Sequence, residues 1–196
     1  AVGENANAGS YTVAVGQGSN STGQWGVSIG YGAVTTGSRS VSVGQGAAAS
    51  GNSSVAVGNN AKTGANSVSV GASAGATSQG SNAIAMGGSA GANTQGAYAV
   101  AIGSVAGGGY QGANSVAIGN NAGYSGLGPY SVALGAFAGQ SSQAANSIVI
   151  NASGSSVGAA QDTFVVKPVR DVAGTIPTGF KQVAYNPTTG EFISYG

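Results

Sequence analysis

The sequence predicts an all-β protein: a parallel β-roll or solenoid of 14- to 16-residue turns, with a small C-terminal β-hairpin module as a cap. Three observations carry this. A five-residue motif of small residue, Val/Ile, small residue, aliphatic and Gly recurs ten times, from TVAVG at Thr12–Gly16 to SIVIN ending at Asn151. The first aliphatic residues are Val13, Val27, Val41, Val55, Val68, Ile84, Val100, Val116, Val132 and Ile148, in steps of 14, 14, 14 and 13 and then five of 16. Each aliphatic pair stands at i and i+2, the period of a strand, and β-branched pairs with a regularly recurring glycine oppose helix.

Taken in chain order, Ala1, Val2 and Gly3 read as the tail of another copy, so the chain is expected to begin inside a repeat, with more repeats or an anchoring segment upstream. In each motif the residue between the aliphatics is small, as in Ala85, Ala101, Ala117 and Ala133. The aliphatics are expected to fill the roll, and this flat small column to face partner chains. A second small column, Ala33 through Ala138, follows three residues after the closing glycine and provides a second short strand. The closing glycines, among them Gly58, Gly87, Gly103, Gly119 and Gly135, are expected in a left-handed turn. Asn151 holds the tenth place, and Asn tolerates positive φ best among non-glycine residues, so Gly103→Asn is expected to be mild. The 13-residue step must be absorbed in a turn, and the even two-residue insertion of the later repeats preserves the alternation of faces.

Residues 1–151 form the expected rod and 152–196 the capping module. In the latter, Phe180–Tyr185 and Glu191–Tyr195 read as strands joined by Asn186–Gly190. Phe164, Val165, Val166, Val169, Phe180, Phe192 and Ile193 supply larger apolar groups than any repeat.

Composition excludes much chemistry. The 196 residues include 38 glycines, no cysteine and no histidine, and only 5 % are charged. Disulfides, thiolates, imidazole ligands and the usual general base are absent. A net charge of +1 offers no field for nucleic acid, and no apolar run reaches membrane-spanning length. The acids are Glu4, Asp162, Asp171 and Glu191, none inside the repeats, so a carboxylate pair is not expected. GGGYQG at Gly107–Gly112 lacks the aspartate of calcium-binding solenoids. No enzyme activity, metal or cofactor is expected.

A 14-residue turn encloses little, and only Arg39 and Lys62 are charged between residues 5 and 161. A lone roll this thin buries too little to offset its ordering entropy, and a symmetric homo-oligomer follows. SVAVG at Ser54–Gly58 and NSVAIG at Asn114–Gly119 resemble the head repeats of trimeric autotransporter adhesins, the YadA-like left-handed parallel β-roll. The resemblance covers residues 1 to about 151 and implies a homotrimer used for attachment. The 16-residue form, with Gln79, Gln95, Gln111 and Gln143 in one column, is similar to repeats of phage and giant-virus fibres, and the C-terminal module resembles one preceding a fibre chaperone. No heptad pattern of a stalk follows Asn151. The expectation is a viral tail or capsid fibre at the virion surface, held by a virion attachment protein upstream and binding a host-surface receptor or glycan. The alternatives are a bacterial adhesin head and a purely structural filament.

Aromatics are the candidate receptor contacts. Tyr11, Trp25, Tyr98 and Tyr130 share one repeat position, two before the first aliphatic, while Tyr31, Tyr110, Tyr124 and Phe137 are expected in turns. They either stack on sugars or dock a receptor, or they shield turns and pack between subunits. The glutamines are expected to form hydrogen-bonded ladders, and the serines preceding each first aliphatic to bond neighbouring turns.

Overall fold

The computed structural model describes residues 1–168, 182–186 and 191–195. It is a parallel β-roll. Its main sheet has eleven strands in chain order, each of the motif's three central residues: Val13–Val15, Val27–Ile29 and so on through Val132–Leu134, then Ile148–Asn151 and Phe164–Lys167. Val100, Ala101 and Ile102 lie in register with Val116, Ala117 and Ile118, which lie in register with Val132, Ala133 and Leu134. The last strand continues the step of 16, from Ile148 to Phe164, so the main sheet takes in one turn more than the ten motifs and runs past residue 151. TFVVK at Thr163–Lys167 is an eleventh copy in which Phe164 and Lys167, in the first-aliphatic and closing-Gly places, disguise the pattern.

Shorter strands line the opposite wall. Asn7–Ala8, Asn20–Ser21, Val34–Thr35, Ala48–Ala49 and Lys62–Thr63 form one parallel sheet, and Ser78–Gln79, Thr94–Gln95 and Tyr110–Gln111 another. The second wall therefore breaks where the repeat lengthens, while the main sheet continues unbroken. The step of 13 is taken up between Thr63 and Val68, in the turn as expected.

Inside and outside are the reverse of the expectation. Ala85, Ala101, Ala117 and Ala133 are 0 % exposed within a single chain, as are Ala90, Ala106 and Ala122 of the second small column. The two small columns face each other and together make the core, so the four alanines are not a surface for partner chains. The reason is width: two walls joined by turns of a few residues leave room for Ala and Ser but not for opposed Val and Ile. Alternation then points the aliphatics outward, where Val13, Ile29, Met86, Ile102, Leu134 and Ile148 remain about two-fifths exposed.

The core changes chemistry along the rod. In the 14-residue turns, buried hydroxyls connect: Ser28 to Thr35 at 2.8 Å, Thr35 to Ser42 at 2.9 Å, and Ser42 Oγ to the Val34 carbonyl at 2.7 Å. In the 16-residue turns the inward place of the second wall holds Gln95, Gln111, Leu127 and Gln143, all buried. These glutamines do not form the expected ladder. Gln95 Nε2 donates to the carbonyls of Ile84 (2.8 Å) and Ala99 (3.2 Å), and Gln143 Nε2 to those of Val132 (2.9 Å) and Ser147 (3.0 Å). Each amide thus ties the two walls of its own turn together, and only Gln79 reaches another glutamine, Gln95, at 3.3 Å. Ser40, Ser67 and Ser131 bond the next turn as expected, through the carbonyls of Gly51 (2.8 Å), Gly80 (2.9 Å) and Ala144 (2.8 Å).

The closing glycines do have positive φ, but not the left-handed helical value: Gly58, Gly87, Gly103, Gly119 and Gly135 lie between +105° and +132°. A Cβ built on Gly103 would stand 2.7 Å from the carbonyl carbon and oxygen of Gly119 in the next turn. Asn151 is not the precedent it seemed. It is absent from the positive-φ residues and ends a strand as an extended residue, its Nδ2 donating to the carbonyls of Ala136 (2.8 Å) and Ser155 (2.7 Å).

Three other columns do adopt the left-handed helical region, one of them the second glycines Gly75, Gly91, Gly107, Gly123 and Gly139 of the longer turns. Another, two residues after the closing glycine, holds Asn5, Gly18, Gly32, Gly46, Asn60, Ser73, Ser89, Val105, Asn121 and Phe137. Val105, at φ +60°, is β-branched where Asn or Gly is favoured. Val105→Asn should therefore raise stability by about 1 kcal/mol per chain, read as a higher midpoint in denaturant. An unchanged or lower midpoint would contradict it.

Strands Gln182–Asn186 and Glu191–Tyr195 pair antiparallel, Ala184 opposite Ile193, and the rings of Phe164 and Phe192 stand 6.0 Å apart. The expected strand start at Phe180, the residues 187–190 of the expected turn, and Val169 lie outside the described residues.

Candidate interaction surfaces

Two surfaces stand out. The first is the outer face of the main sheet. It carries two parallel rows, one from Val13 through Val100 and Val116 to Phe164, the other from Val15 through Ile102 and Ile118 to Val166. Eleven strands at roughly 4.8 Å give a face of about 50 Å with no charged side chain before Lys167. Its residues are intermediate or exposed in a single chain, and exposed apolar patches of this extent mark interaction sites. Sequence reasoning found these residues but put them inside, because period 2 tells which residues share a face and not which face is the interior.

The second is the turn that enters the main sheet. Its column two before the first aliphatic is Tyr11, Trp25, Arg39, Ser53, Asn66, Asn82, Tyr98, Asn114, Tyr130, Asn146 and Asp162, every member between φ +53° and +60°. From Arg39 onward the backbone of each turn hangs on the one before it: Arg39 N donates to the Gln24 carbonyl at 2.8 Å and Tyr130 N to that of Ala113 at 3.1 Å. The aromatics of this column point to solvent, Tyr11 being 77 % exposed and Trp25 50 %. The Arg39 guanidinium lies 5.4 Å from the centroid of the Trp25 ring. The sequence shows Arg39 as one of two charges between residues 5 and 161, and its place in this column is carried only by its standing one step of 14 after Trp25.

The remaining candidates are scattered. Tyr31 follows closing Gly30 on the other turn, and Tyr124 lies in the corresponding turn of a longer repeat; both are exposed. Tyr110 is not in a turn but on the outward side of the strand Tyr110–Gln111. Phe137 is half-buried at φ +60°. Tyr98 and Tyr130 are separated by the turn carrying Asn114, so they do not stand on adjacent turns as Tyr11 and Trp25 do.

Among the described residues no group of three or more His, Cys, Asp or Glu could hold a metal ion, and no helix is long and apolar enough to cross a membrane.

Comparison with known families gives matches to the YadA head domain repeat at residues 21–47, 36–61, 78–106 and 111–122. The matches lie on both repeat lengths, and the residues they cover form stacked parallel turns of the roll. Over these residues the chain carries YadA-like head repeats. A comparison with curated proteins finds no match.

Proposed function

We propose, from the YadA-like head repeats the chain carries, that it is the rod of a homotrimeric, non-enzymatic attachment fibre displayed outside the cell or on a virion. The observation that carries this reading is the outer face of the main sheet. Twenty-two outward side chains, two from each of eleven strands, stay partly uncovered in one chain, and each gains on the order of 1 kcal/mol when covered. Three copies meeting through this face cover it symmetrically and leave the second wall and both turns facing outward. Such an assembly binds by many weak contacts, with avidity from its three copies. Within residues 152–196, beyond the eleventh strand at Phe164–Lys167, the hairpin of Gln182–Asn186 and Glu191–Tyr195 serves as its cap, an idea the contact of Phe164 with Phe192 supports.

Light scattering on the intact chain should give about 55 kDa, three times 18.3 kDa. A single-chain mass at micromolar concentration would sink the proposal.

Within this reading we favour a virion fibre binding a host-surface receptor or glycan, because the 16-residue Gln-bearing turns resemble viral fibre repeats. The family match favours the second reading, the head of a bacterial trimeric adhesin. The gene downstream of Gly196 separates them. An encoded chaperone domain supports the virion fibre, and a coiled coil with a membrane-anchor barrel supports the adhesin.

A further inference from the structure

We infer that Tyr11, Trp25 and Arg39 form a binding ledge for a carboxylate-bearing sugar of a surface glycan. This inference rests on the attachment reading and names the ligand class that one part of the rod takes.

The three residues occupy the same place on three consecutive turns, so they rise as a stack at roughly 4.8 Å per step. All three are held at φ +56° to +60°. In the same column Asn66, Asn82, Asn114 and Asn146 fill the position with the residue type that tolerates it, so two large aromatics and an arginine are the costly choices. They are also left uncovered: Tyr11 is 77 % and Trp25 50 % exposed, and Arg39 is exposed. Apart from the contact of Arg39 with Trp25, a backbone cost combined with exposed aromatic area has no return within the chain itself.

The ledge supplies what an acidic sugar needs. Aromatic faces stack on the apolar face of a pyranose. The guanidinium, ordered over Trp25, offers a planar fork that matches one carboxylate. Among the described residues no carboxylate pairs with it. Thr22, Gln24 and Thr36 on the same turns are exposed and their side chains make no hydrogen bond to protein, leaving donors and acceptors for sugar hydroxyls. One isolated cation fits a sugar with a single carboxylate. It does not fit a polysulfated chain or nucleic acid, which need a cluster of cations. Tyr98 and Tyr130 have no cation in their part of the column and lack the anion-binding half of the ledge.

The test is surface plasmon resonance of the full chain over immobilised sialyllactose and immobilised trigalacturonate, with lactose as the neutral surface. The parent should bind one or both acidic sugars above lactose, and which one it binds identifies the source of the carboxylate. Arg39→Ala and Trp25→Ala should each weaken that binding by about tenfold or more, whereas Tyr130→Ala should leave it unchanged. All variants are first shown by light scattering to keep the parent's mass. Equal binding to lactose, or undiminished binding by Arg39→Ala and Trp25→Ala, overturns the ledge. So does a change of mass in those variants, which would make the ledge a subunit contact. A parent of trimeric mass that binds neither acidic sugar overturns this site alone, and an unassembled parent overturns the attachment reading beneath it.

Discussion

Replacing Ala117 with aspartate should leave no folded rod, while replacing its neighbour Val116 with aspartate should leave single chains in place of assemblies. Ala117 is 0 % exposed and stands in the core between Ala101 and Ala133 of the adjoining strands. A carboxylate there has no partner and no water, and an unpaired buried charge costs about 3–5 kcal/mol, before the strain of fitting a larger side chain into a core built for methyl groups. Val116 lies on the same strand with its side chain on the outer face. Aspartate there is solvated in a lone chain and becomes buried only on association, so its cost falls on assembly. Far-UV circular dichroism should show loss of β signal for Ala117→Asp, and light scattering a single-chain mass for Val116→Asp. A folded Ala117→Asp that fails only to assemble would restore the small column to the subunit contact and overturn the arrangement described above.

Gly103→Asn should be nearly as damaging as Gly103→Val, and Gly18→Asn should be tolerated. Gly103 has φ +124°, beyond the left-handed helical value near +57° that Asn adopts, and its Cβ would press on the Gly119 backbone at 2.7 Å. Strain and overpacking together should cost at least about 2 kcal/mol per chain for either residue, read as a lowered melting transition of the assembly. Gly18, at φ +66°, has nothing within 4 Å of its Cβ position and shares its column with Asn5, Asn60 and Asn121. Its replacement should shift stability by only a few tenths of a kcal/mol. If Gly103→Asn melted with the parent, the stacked-glycine account would be wrong.

The legible part of this fold was its translation. A motif returning every 14 or 16 residues fixed the strands, their register and both turns, because a solenoid places equivalent residues on top of one another. The partition between interior and exterior was not legible. In most proteins Val and Ile face inward, but here Val116 is outside and Ala117 inside, since the roll is too narrow for anything larger than Leu127. The same narrowness hid the role of the glutamines, which read as a hydrogen-bonded ladder and instead lie inside the roll, with Gln95 and Gln143 bonded to backbone carbonyls. Gly103 was read as a turn residue in the left-handed region, and its contact with Gly119 depends on a turn 16 residues away that no local propensity reports. At the candidate site the aromatics Tyr11 and Trp25 were visible as a shared repeat position, but the left-handed backbone beneath them and the stacking of Arg39 on Trp25 are properties of adjacent turns.

The claim on which the rest depends is that chains meet through the outer aliphatic rows of the main sheet. The chain has no cysteine, so single cysteines report without background. Val116→Cys and Ile118→Cys take one residue from each row, and Thr94→Cys samples the outward side of the second wall. Treated with a short bismaleimide, the Val116→Cys or Ile118→Cys variant should give covalent dimers on a denaturing gel, and Thr94→Cys should run as single chains. Cross-linking through Thr94→Cys with none through either residue of the main sheet would contradict the account.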